Sequence, residues 1–205
     1  MPSFDLFSIG HSNIAIERIV AMLHAAEVTA IADVRSTPAS RFFPWFSAGP
    51  LAARLAQDGI SYQSYGDTLG GRPRYAKLYS EGIADYEAMA RQPEFQTGIA
   101  RLLATATQCR VCIMCAEREP LDCHRCLLVA RALADRGLNI GHILHDGSIE
   151  PHRNTERRLL ALGGAAEDLF VTGQNERLAA AYRRRARAVA YRAKAGGANS
   201  VAGNR

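Results

Sequence analysis

Residues 110–125, RVCIMCAEREPLDCHR, decide how this chain is to be read. Arg110 to Met114 is an apolar run of strand length, and from about His124 to Arg136 the pattern is helical. The helix is expected to stop at Gly137, because glycine tolerates the left-handed conformation that closes helices. A strand that passes through a polar loop into a helix is half of a βαβ unit, from which parallel sheets are built.

The same alternation extends outward in both directions. Phe4 to Gly10 reads as a buried strand ending in the turn His11-Ser12-Asn13, with Ser12 or Asn13 as candidate cap for the next helix. On that helix Ile16, Ile19, Val20 and Leu23 recur at helical spacing. Thr29 to Val34 is a second strand, Pro50 to Gln57 a helix, and Ile60 to Tyr65 a third strand. A loop punctuated by Gly70, Gly71 and Pro73 follows. Ile83 to Ala106 reads as largely helical, divided at Pro93, and Asn139 to Leu144 is a further strand closing at His145-Asp146-Gly147. The expected fold is α/β: a mostly parallel sheet with helices on both faces, Rossmann-like and three-layered, over residues 1–152. Residues 153–205 are expected to add a basic helical extension, with helices over Asn154 to Leu162, capped by Asn154 or Thr155, and over Asn175 to Lys194. Gly163 and Gly164 would break it, and Gly196 to Arg205 read as flexible.

Composition narrows the function classes. With 48% hydrophobic and 22% charged residues the balance is that of a globular chain. No apolar run approaches the roughly 20 residues that cross a bilayer, so no membrane partner is expected. The start lacks a basic segment followed by an apolar one, and a cytoplasmic location is the expectation. The net charge of +5 is unevenly placed: residues 1–150 hold 14 basic and 16 acidic side chains, and residues 151–205 hold 11 and 4. A basic extension on a near-neutral body suits either a polyanion partner or a solubility device.

Ligands of open parallel sheets collect beyond the carboxyl ends of the strands. His11, Asp33, Arg35, Cys115, Glu117 and Asp146 all fall at such predicted ends. Glu117, Asp33 and Cys115 are the candidate catalytic groups, since a part-buried carboxyl can carry protons and a thiol can act as a nucleophile. His11, Ser12, Asn13, Arg35, Arg41, Cys123, His124, Arg125, Asp146 and Trp45 are the candidate substrate or anion ligands. Arg125 offers a bidentate grip, Cys123 lies where a helix start lowers a thiol pKa, and Trp45 lies in a run of aromatics that could stack on a base. Cysteines 109, 112, 115, 123 and 126 fall within 18 residues, an odd number that argues against a disulfide framework. Odd spacing along a strand sends Cys112 and Cys115 to opposite faces, so no metal is expected; Cys115, Cys123 and His124 form the weaker alternative. Neither a glycine-rich dinucleotide loop nor a Walker loop occurs, so no cofactor is expected.

Several motifs resemble a known bacterial family. They are Ser8-Ile9-Gly10-His11-Ser12-Asn13, Asp33-Val34-Arg35-Ser36-Thr37-Pro38, Leu69-Gly70-Gly71, Met114-Cys115-Ala116-Glu117 through Pro120 to Cys123-His124-Arg125, and His142-Ile143 with Asp146-Gly147. In this order, over about residues 4–152, the chain resembles the domain of unknown function 488 family. Phe43-Pro44-Trp45-Phe46 departs from the polar-aromatic sequence at that position, and the basic extension lies outside the resemblance. The resemblance implies a lineage and no reaction.

Three expectations for function remain. The first is a hydrolytic enzyme acting on a nucleotide or nucleic-acid base, such as N-glycosidic cleavage, with Glu117 or Asp33 activating water. Arg35, Arg41, Arg125 and the basic extension would hold the nucleic acid. The second is a non-catalytic nucleic-acid-binding or regulatory module, and the third is a thiol- or metal-dependent protein.

Overall fold

Apolar runs become strands here because each side of the sheet has its own core to fill. The computed structural model describes residues 3–162 and 173–193. Its first half is β1 (Leu6–Gly10), α1 (Ile16–Ala25), β2 (Ala30–Asp33), α2 (Ala48–Gln57) and β3 (Ser61–Ser64). A short α3 (Gly66–Leu69) leads to a hairpin of β4 (Tyr79–Ser80) and β5 (Ile83–Ala84), then α4 (Tyr86–Ala90) and α5 (Pro93–Ala106). Next come β6 (Val111–Cys115), a π-helical stretch Arg125–Ala130 continuing as α6 (Arg131–Ala134), and β7 (Ile140–Ile143). The chain closes with β8 (Ile149–Pro151), α7 (His152–Ala161) and α8 (Gln174–Val189).

Six strands form one sheet in the order β3-β2-β6-β1-β7-β8, all parallel except the antiparallel edge strand β8. On β6, Cys112 and Met114 pack with α1 and α2 on one face, while Val111, Ile113 and Cys115 join the core under α5, α6 and α8 on the other. The period-two alternation therefore sorts the cysteines as the spacing predicts. β1 connects leftward to β2, and β6 connects rightward to β7, although β1 and β6 are neighbours. Right-handed crossovers that leave in opposite directions cover opposite faces, so a crevice opens beyond the ends of β1 and β6. None of the helices among the described residues is long and apolar enough to cross a membrane.

Several local expectations are corrected. Neither Ser12 nor Asn13 caps α1; Ser12 adopts a left-handed φ of 44°, and Ala15 occupies the cap without a side-chain bond. Ile83 and Ala84 are extended because β4 pairs with them, while the expected division at Pro93 holds, α4 ending at Ala90 and α5 starting at Pro93. Neither Asn154 nor Thr155 caps α7, which begins at His152; the Thr155 hydroxyl bonds Glu150 at 2.8 Å. Gly137 does close α6, with a φ of +86°. Lys194, the Gly163-Gly164 break and the segment 196–205 lie outside the described residues.

The extension packs on the body. Leu159, Ala181 and Tyr182 are buried in the same core as β6, and a hydrogen-bonded chain runs from them into the sheet. Ser8 lies 2.6 Å from His142 Nδ1, His142 Nε2 lies 2.9 Å from His152 Nδ1, and His152 Nε2 lies 3.0 Å from the Tyr182 hydroxyl, which donates to Glu156 at 3.1 Å. Two neutral rings satisfy the chain, with every donor pointing from Ser8 toward Glu156. Burial enforces that neutrality, lowering the His152 pKa to about 4. A lowered histidine pKa means that the unfolded chain takes up a proton the folded one refuses, so stability falls as pH drops from about 6.5 toward 4. Each such ring contributes a slope of about 1.4 kcal/mol per pH unit in that window. Urea denaturation at pH 7 and pH 5 is expected to show this loss, and His152→Gln is expected to reduce the slope by one proton.

Candidate active site

The crevice is built from the ends of β1 and β6 and from the loop after β6. His11 and Ser12 donate their backbone N–H groups to the carbonyls of Cys115 and Ala116, at 2.9 and 2.8 Å, extending the sheet by two rungs. Next to them Gly10 has no side chain for a physical reason: a Cβ there would lie 1.7 Å from the Glu117 carbonyl oxygen. Arg125, fully buried, reaches up from the π-helical stretch and donates to the carbonyls of Glu117 (2.5 Å) and Arg118 (2.9 Å). Its Nε has no hydrogen-bond partner among the described residues, and its charge lies beside Cys123. Arg125 is thus a clamp on the loop from below, and the expectation of a free grip on an anion is corrected: both terminal nitrogens are already occupied by backbone.

Cys115, Cys123 and His124 converge above it. His124 Nε2 donates to the Val34 carbonyl at 2.9 Å, which turns Nδ1 toward both sulfurs, 3.7 Å from Cys115 and 3.9 Å from Cys123. Gly71 makes room for the ring, since a Cβ there would meet it at 2.6 Å. Burial alone would raise the Cys123 pKa, but a hydrogen bond from Cys115, the Arg125 charge and His124 together pull it well below the ordinary thiol range. The Cys115 thiol moves the opposite way, raised by donating to Cys123 and by burial. The two shifts are opposite in direction, so of the pair Cys123 is the sulfur that gives up its proton more readily. At the rim, burial and then the Cys123 charge raise the Glu117 carboxyl above its usual value.

A second buried set flanks this one. Arg35 donates to Asp33 through Nε at 2.9 Å and Nη2 at 2.6 Å, and Tyr62 donates to the same carboxylate at 2.7 Å. Nη1 of Arg35 reaches His11 Nε2 at 3.1 Å, while His11 Nδ1 donates to the Ser12 carbonyl at 3.0 Å. His11 is stacked on Phe46, with ring centroids 4.1 Å apart, and burial followed by the Arg35 charge lowers its pKa to about 4. Asp33 has no exposed surface and its lone pairs are taken, so it is a poor choice for activating water.

The cleft encloses about 440 Å³, and His11, Arg35, Cys115, Glu117, Cys123 and His124 line it. Ser12, Asn13, Arg41, Trp45 and Asp146 do not. Trp45 packs edge-on to Phe43 at 5.7 Å, Arg41 faces the exposed ring of Phe42, and Asp146 accepts from Ser148 to hold the β7–β8 turn. Sequence reasoning missed Arg72, Tyr86, Val189 and Tyr191, which complete the walls. Tyr191 lies under Arg72 at 5.0 Å and is tied to β5 by the Ala84 N–H at 2.9 Å. Only the glycine-rich spacing before Arg72 hinted at a close approach there.

A family model described as domain of unknown function DUF488 matches residues 15–132. The chain belongs to this family. No curated protein and no solved structure matches it. The DUF488 match takes in Asp33, Arg35, Cys115, Glu117, Cys123, His124 and Arg125, and leaves His11 and the Tyr191 wall outside. It also contains one of the two groups able to hold an ion among the described residues. Cys115, Cys123 and His124 present ligand atoms within 4.8 Å of one another, a donor set that suits zinc with an open fourth position. Cys126, His142 and His152 form the other, but both rings are engaged in the chain to Tyr182.

Removing one partner of the buried Asp33–Arg35 pair leaves an uncompensated charge. Asp33→Ala is expected to lower unfolding free energy by about 3–5 kcal/mol, read from the urea midpoint at an unchanged m-value.

Proposed function

We propose that the protein is a cysteine-dependent enzyme in which the Cys123 thiolate attacks a small polar substrate bound in the cleft. The observation that carries this reading is the convergence of the Cys115 thiol and His124 Nδ1 on the Cys123 sulfur above the buried Arg125 charge. The thiolate, not the thiol, is the nucleophile, and an adjacent cation with two hydrogen-bonding groups is how proteins maintain it. Glu117, with its raised carboxyl at the rim, is suited to hand a proton to the leaving group. A cleft of about 440 Å³ matches a small-molecule ligand. Five unbridged cysteines fit a reducing, cytoplasmic setting.

Carbamidomethylation by iodoacetamide, followed residue by residue with peptide mass spectrometry, tests the nucleophile. Cys123 is expected to react with a pH midpoint well below about 8.5, the value of a free cysteine. Cys112 and Cys126, whose thiols burial pushes up, are expected to stay unmodified. A Cys123 that reacts only above that value overturns the reading.

A second reading keeps hydrolysis of a nucleotide or nucleic-acid base. Tyr86 and the Tyr191–Arg72 stack offer flat faces beside Glu117, which suits an aromatic base. It draws less from the arginines expected to hold nucleic acid. Arg35 and Arg125 are internally engaged, and Arg158, Arg183, Arg185 and Arg187 pair with Glu150, Glu87, Asp122 and Glu81. Base release from nucleosides and single-stranded oligonucleotides separates the readings: the hydrolytic one expects Glu117→Gln to abolish it and Cys123→Ser to spare it.

A further inference from the structure

We propose that Cys115 and Cys123 are a two-electron redox couple that exchanges with a low-molecular-weight disulfide in the cleft, Cys123 attacking and Cys115 resolving. The proposal rests on the reading of Cys123 as the nucleophile and adds its partner sulfur and its substrate class. Both sulfurs lie within 4.8 Å of each other and of His124 Nδ1, and both line the same cleft. A disulfide needs a bond of about 2.05 Å, so its formation draws the two sulfurs together. Cys115 ends β6 and Cys123 stands at the start of the π-helical stretch, so the couple joins two ends of one loop already clamped by Arg125.

Position fits an attacking and a resolving thiol: Cys123 lies beside the buried Arg125 charge and 3.9 Å from His124 Nδ1, and Cys115 lies next to it at the end of β6. His124 Nδ1 lies 3.7 Å from the Cys115 sulfur. The remaining cysteines do not compete: Cys112 faces the opposite side of the sheet, and Cys126 is buried without lining the cleft. Substrate size follows from access. Cys115 and Cys123 are 5% and 1% exposed as residues and both line the cleft, so the substrate is a disulfide small enough to enter it, which the disulfide of a folded protein is not.

The steps balance. The Cys123 thiolate attacks one sulfur of R–S–S–R, forming Cys123–S–S–R and expelling R–S⁻, which takes a proton from solvent in the open cleft. Cys115 then attacks the Cys123 sulfur, its proton passing to the second thiolate as that leaves. The Cys115–Cys123 bond forms as the Cys123–S–R bond breaks. Two electrons pass from the protein thiols to the substrate, which becomes two thiols; excess reduced thiol runs the sequence backward.

Oxidised and reduced glutathione, mixed at fixed ratios with the full chain, provide the test. Peptide mass spectrometry without reductant is expected to find a Cys115–Cys123 cross-link that loses two hydrogens and reverses in excess reduced glutathione. Cys115→Ser is expected to lose the cross-link and accumulate glutathione on Cys123, while Cys123→Ser loses both products. Cys109→Ser, altered outside the cleft, is expected to behave as the parent, and far-ultraviolet circular dichroism checks that each variant is folded. A parent protein that stops at the Cys123 adduct overturns the couple and leaves the nucleophile standing. Absence of any product at Cys123 overturns both. A stoichiometric metal that must be stripped before either sulfur reacts overturns the couple in favour of a metal centre.

Discussion

A guanidinium with no exposed surface organises the loop after β6. Arg125 holds the carbonyls of Glu117 and Arg118, and Gly10 leaves the space into which that loop descends. A cation buried so completely needs negative charge close by, because the interior offers no water to solvate it. The Cys123 sulfur is its neighbour, and the charge pulls the thiol pKa down. The interaction that shapes the loop therefore also favours the thiolate form of the sulfur. Glu117 belongs to the same arrangement twice, its backbone clamped from below and its carboxyl raised at the rim.

The other buried charges are spent on geometry. Asp33 and Arg35 neutralise each other, and Tyr62 and His11 take up the hydrogen bonds that remain. That set fixes the β2 wall opposite the sulfurs and keeps His11 neutral. The arginines of α7 and α8 meet acids of the body, so the uneven charge of the chain is in good part an internal complementarity. Exposed pairs of this kind are worth about 1 kcal/mol or less each. What holds α8 down is the burial of Ala181 and Tyr182 and the hydrogen-bonded chain into β7, and the segment after it then supplies Val189 and Tyr191 to the cleft.

Much of the fold was legible because strand and helix periods are local. The strand runs around β1, β2, β3, β6 and β7 could be read directly, as could the stop at Gly137. The pairing of Ile83 with Ser80 could not, since two-residue strands carry no period, and no element was expected where the antiparallel β8 forms. At the site, strand-end position identified Cys115, Glu117, His11 and Arg35, and the helix start identified Cys123 and His124. Roles were less legible. Arg125 and Asp33 look like ligands in sequence because charge suggests water, yet each is enclosed and already bonded. Tyr191 lies 76 residues beyond Cys115 and shares no local pattern with it.

By itself, then, the sequence determined an α/β sheet, the face to which each cysteine of β6 points, and the strand ends where chemistry gathers. It could do so because side-chain period and turn chemistry depend on neighbours a few residues apart. Only the tertiary structure decided which charged groups face the cleft and which are consumed beneath it. It also brought together two thiols whose pKa values shift in opposite directions, and folded the basic extension back as a wall. Those outcomes depend on burial and on partners distant in the chain, and desolvation, which sets the charge state of a sulfur or a histidine, exists only once the chain has closed around it.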